Sequence, residues 1–424
     1  MAGDNKSMRN ILALTAVFVL VGFVHSLNVI FIPQLKGPYQ FGTVGSIFIN
    51  NIFFIGCLLV AYPAGLYASR VGYKKSIVTG LSLLASGLML FCGAFTGNST
   101  VLLLALSLIA GGLVLLETST NTYVIMLSDS NGAVRRLNFA QAFTGLAGML
   151  ALIIGNGIHS FRYWMIDDHG QNIMQENWVG FSLKKIALVQ IPYLSLGLLA
   201  LVLALFIFKS ALPEKATNAV PARNTNAGRR NLWHGIMANF FYVGAHVGVS
   251  GYFVYYAVNI AGINEKLAAM YLSAAVFVFM VGRFLGAFFM RYVSSSFLLF
   301  MYSLVSIALL LFAMFSSNLQ GVYALVALHF FMSIMYPTIF SISLKVSQPQ
   351  YKYVSSFLVM SLIGGAIVPL AMKWITEFVS FQLACAVPVC GLLFVSWFAY
   401  KSLSQEHFVM ASKKVRIAAH QDAL

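Results

Sequence analysis

Long apolar runs recur along this sequence and restrict its fold more than any other feature. A helix that crosses the apolar core of a bilayer needs about 20 apolar residues. Only 9% of the chain is charged, against about 25% in soluble domains. The runs between polar breaks predict twelve membrane-spanning helices, at residues 10–35, 43–68, 76–96, 100–127, 137–160, 186–208, 233–260, 266–291, 296–315, 319–345, 353–375 and 379–400. The prediction is therefore an all-α, polytopic membrane protein.

A polar segment between the sixth and seventh runs, residues 209–231, divides the predicted spans into two sets of six. This predicts an N-terminal half (1–208), a linker, a C-terminal half (232–400) and a tail (401–424). The halves echo each other: GLYASRVGYKK of span two matches GRFLGAFFMRY of span eight, and LLETSTNTYVIMLS of span four matches IMYPTIFSISLKVS of span ten. Two parallel six-helix repeats with a binding site at mid-membrane are typical of secondary transporters.

The basic residues lie mainly on one side of this predicted topology. If both termini are cytoplasmic, 20 of the 26 Lys and Arg residues are on the inside, counting Arg283 and Arg291 of the span-eight end, and six are outside. This asymmetry follows the positive-inside rule and predicts an inner-membrane protein with cytoplasmic termini. It also explains the net charge of +15 without a nucleic-acid partner. The basic tail KKVRIAAH is either solvated or in contact with membrane lipid.

Enzymatic chemistry and bound metals are not expected. The cysteines, Cys57, Cys92, Cys385 and Cys390, all fall inside apolar runs, so we predict no disulfide, no metal site and no cofactor. The sequence contains no His-Glu-x-x-His, no Gly-x-Ser-x-Gly and no phosphate loop. We expect a monomeric protein that is not an enzyme.

Of the eleven carboxylates in the chain, Glu117 alone falls in the middle of a predicted span. An ionised acid at mid-bilayer costs about 3 kcal/mol or more, so Glu117 is predicted to face the helix bundle or water. The favoured interpretation is a residue that exchanges protons in a cavity. The alternative is a permanently protonated side chain bonded to a neighbouring helix. Asn121, four residues further on, shares its helical face.

Other polar side chains also occur within the spans. His25, His246 and His329 could titrate or bind a polar substrate; for the first two a structural role remains equally open, and for His329 it is favoured. The amides and hydroxyls in spans one, two, four and five are Asn28, Asn50, Asn51, Asn121, Gln141 and Thr144. Such groups suit a polyhydroxylated substrate, and interhelical hydrogen bonding is the alternative. The glycine clusters GLAGMLALIIGNG and GGA are explained by helix packing alone.

Eight segments resemble those of a known protein family in their residues, their order and their spacing. They are LNVIFIPQL, YPAGLYASRVGYKKSIVTGL, LET…N, RLNFAQAF, YVGA, GRFLG, FMSIMYPTIFS and YVSSFLVMSLIGGAIV. They resemble the major facilitator superfamily and, within it, the fucose:proton symporter family. This resemblance implies sugar uptake by alternating access, with essential acids on spans one and four. It matches the family's span-four glutamate to Glu117, its span-five glutamine to Gln141 and its span-ten tyrosine to Tyr336. His246 and Thr144 replace a family glutamine and asparagine.

One departure affects the expected mechanism. Where the family reads Asn-Asn-Leu-Asn-Asp on span one, this chain reads His25-Ser26-Leu27-Asn28-Val29, so valine replaces the first acid. Proton coupling through Glu117 alone, a shared role for His25, and uncoupled transport therefore all remain open. The candidate substrate-binding residues are Asn28, Asn50, Asn121, Gln141, Thr144, His246 and Tyr336.

Two other functions are less favoured. An exporter of drugs or metabolites would resemble its relatives in a Gly-Pro signature on span five, and GLAGMLALIIGNG has no proline. A sugar sensor without transport activity would need a signalling domain, for which the linker and tail are too short. The loop 161–185 either caps the outer mouth of a cavity or is an ordinary solvated loop.

Overall fold

The computed structural model describes residues 2–31, 43–93, 99–128, 132–167, 178–210, 212, 226–346 and 351–421. Its regular structure within these residues is entirely helical. The first nine helices are α1 (Ala2–Phe31), α2 (Thr43–Val71), α3 (Tyr73–Gly93), α4 (Ser99–Met126), α5 (Ala133–Asp167), α6 (Trp178–Lys209), α7 (Asn226–Asn259), α8 (Glu265–Phe289) and α9 (Ser295–Phe315). They correspond in order to predicted spans one to nine.

Spans ten and eleven are interrupted helices, whereas the sequence predicts two continuous ones. Span ten consists of α10 (Leu319–Met332) and α11 (Met335–Val346). Span eleven consists of α12 (Tyr351–Met360), a 3₁₀ turn (Ser361–Ile363) and α13 (Gly364–Phe378). The last helix, α14 (Phe381–Gln421), contains span twelve. The all-α architecture is therefore confirmed.

Ten segments of the described chain are long and apolar enough to cross a membrane, and Leu12–Asn28 of α1 is a shorter apolar helix. The remaining predicted span, α7, has ample length for a crossing, at 34 residues. It is more polar than its neighbours because it carries side chains such as His234, Asn239 and His246.

Several helices extend beyond the predicted spans. Because α5 continues to Asp167 and α6 starts at Trp178, both ends of the predicted 161–185 loop are helical. Residues 168–177, on which a cap of the cavity would depend, lie outside the described chain. Similarly, α7 starts within the predicted linker and α14 continues through most of the predicted tail. Hydropathy marks only where an apolar run ends, and a helix can continue past that point, as α14 does through Ala, Lys, Arg and Gln residues that favour helix.

The chain forms two compact units. Unit 1 comprises Met1–Asp129, Phe139–Ala222 and Pro349–Ile363, and unit 2 comprises Ser130–Asn138, Arg223–Gln348 and Gly364–Leu424. Each unit is therefore built mainly from one half of the sequence and includes a short segment from the other.

Unit 1 is held together by helices that approach closely at small residues. At the crossing of α3 and α4, a Cβ on Gly112 would lie 2.7 Å from the backbone nitrogen of Leu84, and one on Gly87 would lie 2.7 Å from that of Ile109. Glycine allows this approach because it has no side chain to hold the two helix backbones apart. Helices α1 and α5 meet in the same way, with a Cβ on Gly148 only 2.8 Å from Ser26 Oγ.

In unit 2, helices α7 and α13 also approach closely at glycine residues. A side chain at Gly364 would overlap the carbonyl oxygen of Phe240, and one at Gly244 would overlap Val368. Val368, Met372 and Ala384 form a buried apolar cluster beside this contact. Gly364 of the Gly-Gly-Ala cluster therefore has the predicted packing role.

Candidate functional site

The central feature of unit 1 is a hydrogen-bonded series that ends on Glu117, in the middle of α4. Asn121 Nδ2 donates to Glu117 Oε1 at 2.7 Å, as two side chains four residues apart on a helix are placed to do. Gln141 Nε2, on α5, donates to Asn121 Oδ1 at 2.9 Å. Both amides are buried, and Glu117 is partly exposed. The structure therefore brings together three of the predicted site residues.

Glu117 occupies a distinctive place among the acids of the described spans. The others, Glu265, Glu377 and Glu406, each stand within two residues of the end of a span. Acids at span ends reach water, whereas Glu117 lies 18 residues into a 28-residue helix. The expectation that Glu117 is the one acid in the middle of a span therefore holds for the described chain.

The remaining polar residues next to Glu117 are mostly used for packing. Thr118 and Thr122 donate to backbone carbonyls one helical turn earlier, and Ser119 Oγ lies 2.7 Å from Ser76 Oγ of α3. Side chains of this kind commonly stabilise helix contacts in membranes. These hydroxyl side chains of α4 therefore serve helix packing. The Glu117–Asn121 pair instead forms a hydrogen bond to Gln141 of α5.

On α1, the two candidate residues have different surroundings. His25 is exposed, and its ring lies edge-on to Phe53 with centroids 5.0 Å apart. Asn28 Oδ1 accepts a 2.7 Å hydrogen bond from the hydroxyl of Tyr193 on α6. Tyr193 is fully buried and stacks on Phe91 at 4.2 Å. Tyr193, which sequence reasoning missed, therefore fixes the orientation of the Asn28 amide.

Two further candidates of unit 1 contribute less to the site. Asn50 lies on α2, and its side chain is outside the described part of the chain. Thr144 lies on α5 where Gly22 of α1 packs against its backbone. Its Oγ1 is buried and has no hydrogen-bond partner among the described residues. Thr144 thus combines a packing position with an unused hydroxyl.

In unit 2, His246 is surrounded by rings. Its imidazole lies 4.7 Å from Phe279, 5.9 Å from His329 and 6.0 Å from Tyr242, centroid to centroid. His329 Nδ1 lies 2.7 Å from the Leu325 carbonyl, which can only accept, so this nitrogen carries a proton. Its Nε2 lies 3.1 Å from Ser250 Oγ. His329 is a buried, hydrogen-bonded histidine, which agrees with the favoured structural role.

The interruption of span ten lies beside this cluster. Pro337 has no N–H to donate to the carbonyl of Ser333, four residues earlier. Arg283 Nε of α8 donates to that carbonyl at 2.9 Å instead, and the Tyr242 hydroxyl donates to the Met332 carbonyl at 2.8 Å. Irregular backbone inside a membrane requires such substitutes. Tyr336, at the start of α11, is buried beside Phe340.

The prediction for Arg283 is wrong. The sequence predicts it at the inside end of span eight, but it is buried within α8, where its guanidinium also packs on Phe279 at 4.7 Å. A hydropathy plot places an arginine at a span end because it lowers the window average. It cannot show that the side chain is turned inward toward a broken helix.

The arrangement has the chemical groups for binding and proton exchange. Within the described residues no group of three or more His, Cys, Asp or Glu side chains could hold a metal, and the four cysteines are free thiols. A carboxyl group with two amides in series can release a proton reversibly and hydrogen-bond to hydroxyl groups. The series of membrane-crossing helices, the interrupted spans and the one mid-span acid of the described chain together define a polytopic membrane transporter.

The family follows from comparison with known proteins. The model of the Major Facilitator Superfamily matches residues 14–369, and the chain belongs to this superfamily. It is 31% identical to the L-fucose-proton symporter of Escherichia coli (strain K12) over 379 residues, which cover 86% of each chain. It is also 31% identical to a glucose/galactose transporter of Brucella abortus over 394 residues, covering 91% of this chain and 92% of the relative.

Comparison with solved structures supports the same family. The crystal structure of the Escherichia coli fucose:proton symporter matches with a TM-score of 0.83 and 29% identity, over 94% of this chain and 99% of that one. The resemblance to the fucose:proton symporter family and the superfamily fold are therefore confirmed. Because the relatives are transporters, the expectation of a transporter, not an enzyme, is confirmed as well.

Proposed function

We propose that this chain imports a monosaccharide or a related polyol by alternating access. The observation that carries the proposal is the Gln141–Asn121–Glu117 series, which places two amides and one carboxyl side by side in the membrane. Sugar hydroxyls both donate and accept hydrogen bonds, so they match such groups better than an apolar substrate would. Similarity to fucose, glucose and galactose transporters over most of the chain supports the same substrate class.

Proton coupling is proposed to run through Glu117. It is partly exposed and is the mid-span acid of the described chain, which supports a role in taking up and releasing the proton. His25, exposed on α1, is the second group proposed to take part. Binding residues in this proposal are Asn28, Asn50, Asn121, Gln141, Thr144, His246 and Tyr336.

Val29 supports one alternative, an uncoupled sugar facilitator. The family to which the sequence is similar has an acid at this position of span one, and valine cannot carry a proton. Loss of one of two acids would leave Glu117 to couple transport alone, or would abolish coupling altogether. Flux in the absence of a proton gradient separates these mechanisms.

The proposed setting is the inner membrane, with both termini cytoplasmic and the chain acting as a monomer. The excess of Lys and Arg on one side of the topology supports this orientation. In functional terms, the proposal treats residues 1–208 and 232–400 as the two moving halves, 209–231 as their linker and 401–424 as a tail. Lipid surrounds the spans and sugar and protons are the transported partners.

Uptake by the purified chain in proteoliposomes tests the proposal. Labelled L-fucose, D-glucose and D-galactose are supplied with and without an inwardly directed proton gradient, and empty liposomes serve as the control. We expect uptake of at least one sugar above the control, and accumulation against its gradient only when protons flow inward. Failure of all sugars to enter would contradict the proposal.

The same preparation separates the other candidate functions. An exporter would extrude drugs or metabolites and would raise the drug resistance of the host. A sensor would bind a sugar without moving it, so that binding would be detected by calorimetry and uptake would not.

The hydroxyl of Tyr193 provides a further prediction. Tyr193→Phe keeps the ring stacked on Phe91 but removes the 2.7 Å hydrogen bond to Asn28. A hydrogen bond of this kind contributes about 1 kcal/mol, so about a five-fold rise in the KM for sugar is expected with little change in maximal rate. Tyr271→Phe, which removes an exposed hydroxyl of unit 2, is the matched control. Equal KM values for the two variants would contradict a positioning role for Tyr193.

A further inference from the structure

A polar contact joins the start of α5 to α11 inside unit 2. Asn138 Nδ2 donates to Thr338 Oγ1 at 3.1 Å and to the carbonyl oxygen of Val134, one turn earlier on α5, at 2.9 Å. Both partners act as acceptors, because the Thr338 hydroxyl donates its own proton to the carbonyl of Ile334. The amide nitrogen of Asn138 therefore faces both of them. Asn138 and Thr338 are fully buried.

This contact leaves polar atoms of both helices unsatisfied. Asn138 Oδ1 is buried and has no hydrogen-bond partner among the described residues, and the same holds for Ser341 Oγ, three residues after Thr338 on α11. A polar atom without a partner costs free energy while it is buried, and water removes this cost once it reaches the atom. Contact between these groups is therefore easier to open to water than an apolar contact would be.

Helix α5 belongs to both units. Its first turns are part of unit 2, which includes Ser130–Asn138, and from Phe139 onward it is part of unit 1, where Gln141 donates to Asn121. The helix continues across this boundary without interruption. No glycine or proline occurs in residues 133–144, and a sharp kink in a helix needs such a residue or another break in its hydrogen bonds. We therefore expect α5 to move as one rod.

We propose that the contact of Asn138 with Thr338 is a reversible latch, called the Asn138 latch, which is closed in this structure and opens during the transport cycle. The proposal rests on alternating access, the mechanism proposed above, in which one half of a transporter moves against the other. A rigid helix cannot stay attached to both units during such a movement. Most of α5 is held in unit 1, so its first turns leave α11. Water then replaces Thr338 as the partner of the Asn138 amide.

Asn138→Val and Asn138→Thr test the latch, because the two new side chains have the same shape and differ only in a methyl or a hydroxyl group. A hydroxyl at this position can donate to the Val134 carbonyl, as that of Thr338 does to Ile334, and can be hydrated. Asn138→Val is expected to import labelled sugar into proteoliposomes about ten-fold more slowly than Asn138→Thr, since its apolar side chain must be exposed to water when the latch opens. Its thermal unfolding midpoint is expected to be no lower.

Thiol labelling measures the opening of the latch directly. Thr338→Cys places a thiol on the α11 side of the contact, and Ser306→Cys, the matched control, places one at another fully buried hydroxyl position of unit 2, on α9. A water-soluble maleimide is added while the full chain exchanges sugar in proteoliposomes, and peptide mass mapping identifies the labelled residue. The thiol of Thr338→Cys is expected to react about ten-fold faster than that of Ser306→Cys, because only the first is exposed when α5 leaves α11.

Equal uptake by Asn138→Val and Asn138→Thr would overturn the latch, and so would equal labelling of Thr338→Cys and Ser306→Cys. Should Asn138→Val fail to fold, the labelling comparison decides the question. Uptake by the unmodified chain is measured in the same preparation. Its absence would contradict the proposed transport function itself, whereas normal uptake combined with equal behaviour of the paired variants would overturn the latch alone.

Discussion

Glu117→Gln is expected to abolish proton-driven accumulation of sugar in proteoliposomes while sparing exchange of sugar across the membrane. The glutamine carbonyl can still accept the 2.7 Å hydrogen bond from Asn121, so the network of α4 and α5 keeps its geometry. A glutamine cannot release a proton, so the coupling step is lost. With one proton per sugar, a gradient of one pH unit supports about ten-fold accumulation, and the variant should reach a ratio of about one.

The matched control is Glu377→Gln, because Glu377 is an exposed acid near the end of α13 that pairs with Lys373 at 3.6 Å. It is expected to accumulate sugar like the unmodified chain. Accumulation by Glu117→Gln at the level of this control would contradict the coupling role of Glu117. His25→Gln would then be measured next, since His25 is the exposed titratable side chain of α1.

Gly112→Ala is expected to destabilise the protein severely. The added Cβ would lie 2.7–2.9 Å from the backbone nitrogen, Cα and Cβ of Leu84, and backbone atoms cannot move aside as a flexible side chain can. Helices α3 and α4 would have to separate, with the loss of contacts along the crossing. Overpacking of this kind costs about 1–3 kcal/mol, which should lower the thermal unfolding midpoint by several degrees.

Gly111→Ala is the control on the adjacent residue of the same helix. Its Cβ would meet only Leu83 Cδ2 at 3.4 Å, an ordinary van der Waals contact, and alanine favours a helix by up to about 1 kcal/mol over glycine. Thermal unfolding of both variants in the same detergent, followed by light scattering or intrinsic fluorescence, measures the difference. Equal midpoints would show that α3 and α4 separate more easily than the structure indicates.

Much of the fold follows from hydropathy, because a span must be apolar over its whole length and twelve such runs are present. The breaks in spans ten and eleven do not follow, because they leave hydropathy unchanged. Pro337 was a signal of the first break, but a proline is also tolerated in the first turn of a helix.

Part of the site can likewise be predicted from the sequence, and part cannot. Glu117 and Asn121 are linked by helical spacing, whereas the contact of Asn28 with Tyr193 joins residues 165 positions apart and depends on tertiary packing.

The order of donors and acceptors from Gln141 to Glu117 has a consequence for the transport cycle. Asn121 offers its oxygen to Gln141 and its nitrogen to Glu117, so the amide is held in one orientation from both sides. Under the proposed coupling role of Glu117, a proton bound to Oε2 would leave the Asn121 hydrogen bond to Oε1 in place. In the proposed mechanism, loading and unloading a proton at Glu117 would therefore require no rotation of the amides behind it. The amides would then act as a fixed frame, and only the protonation of the carboxyl group would change during a transport cycle.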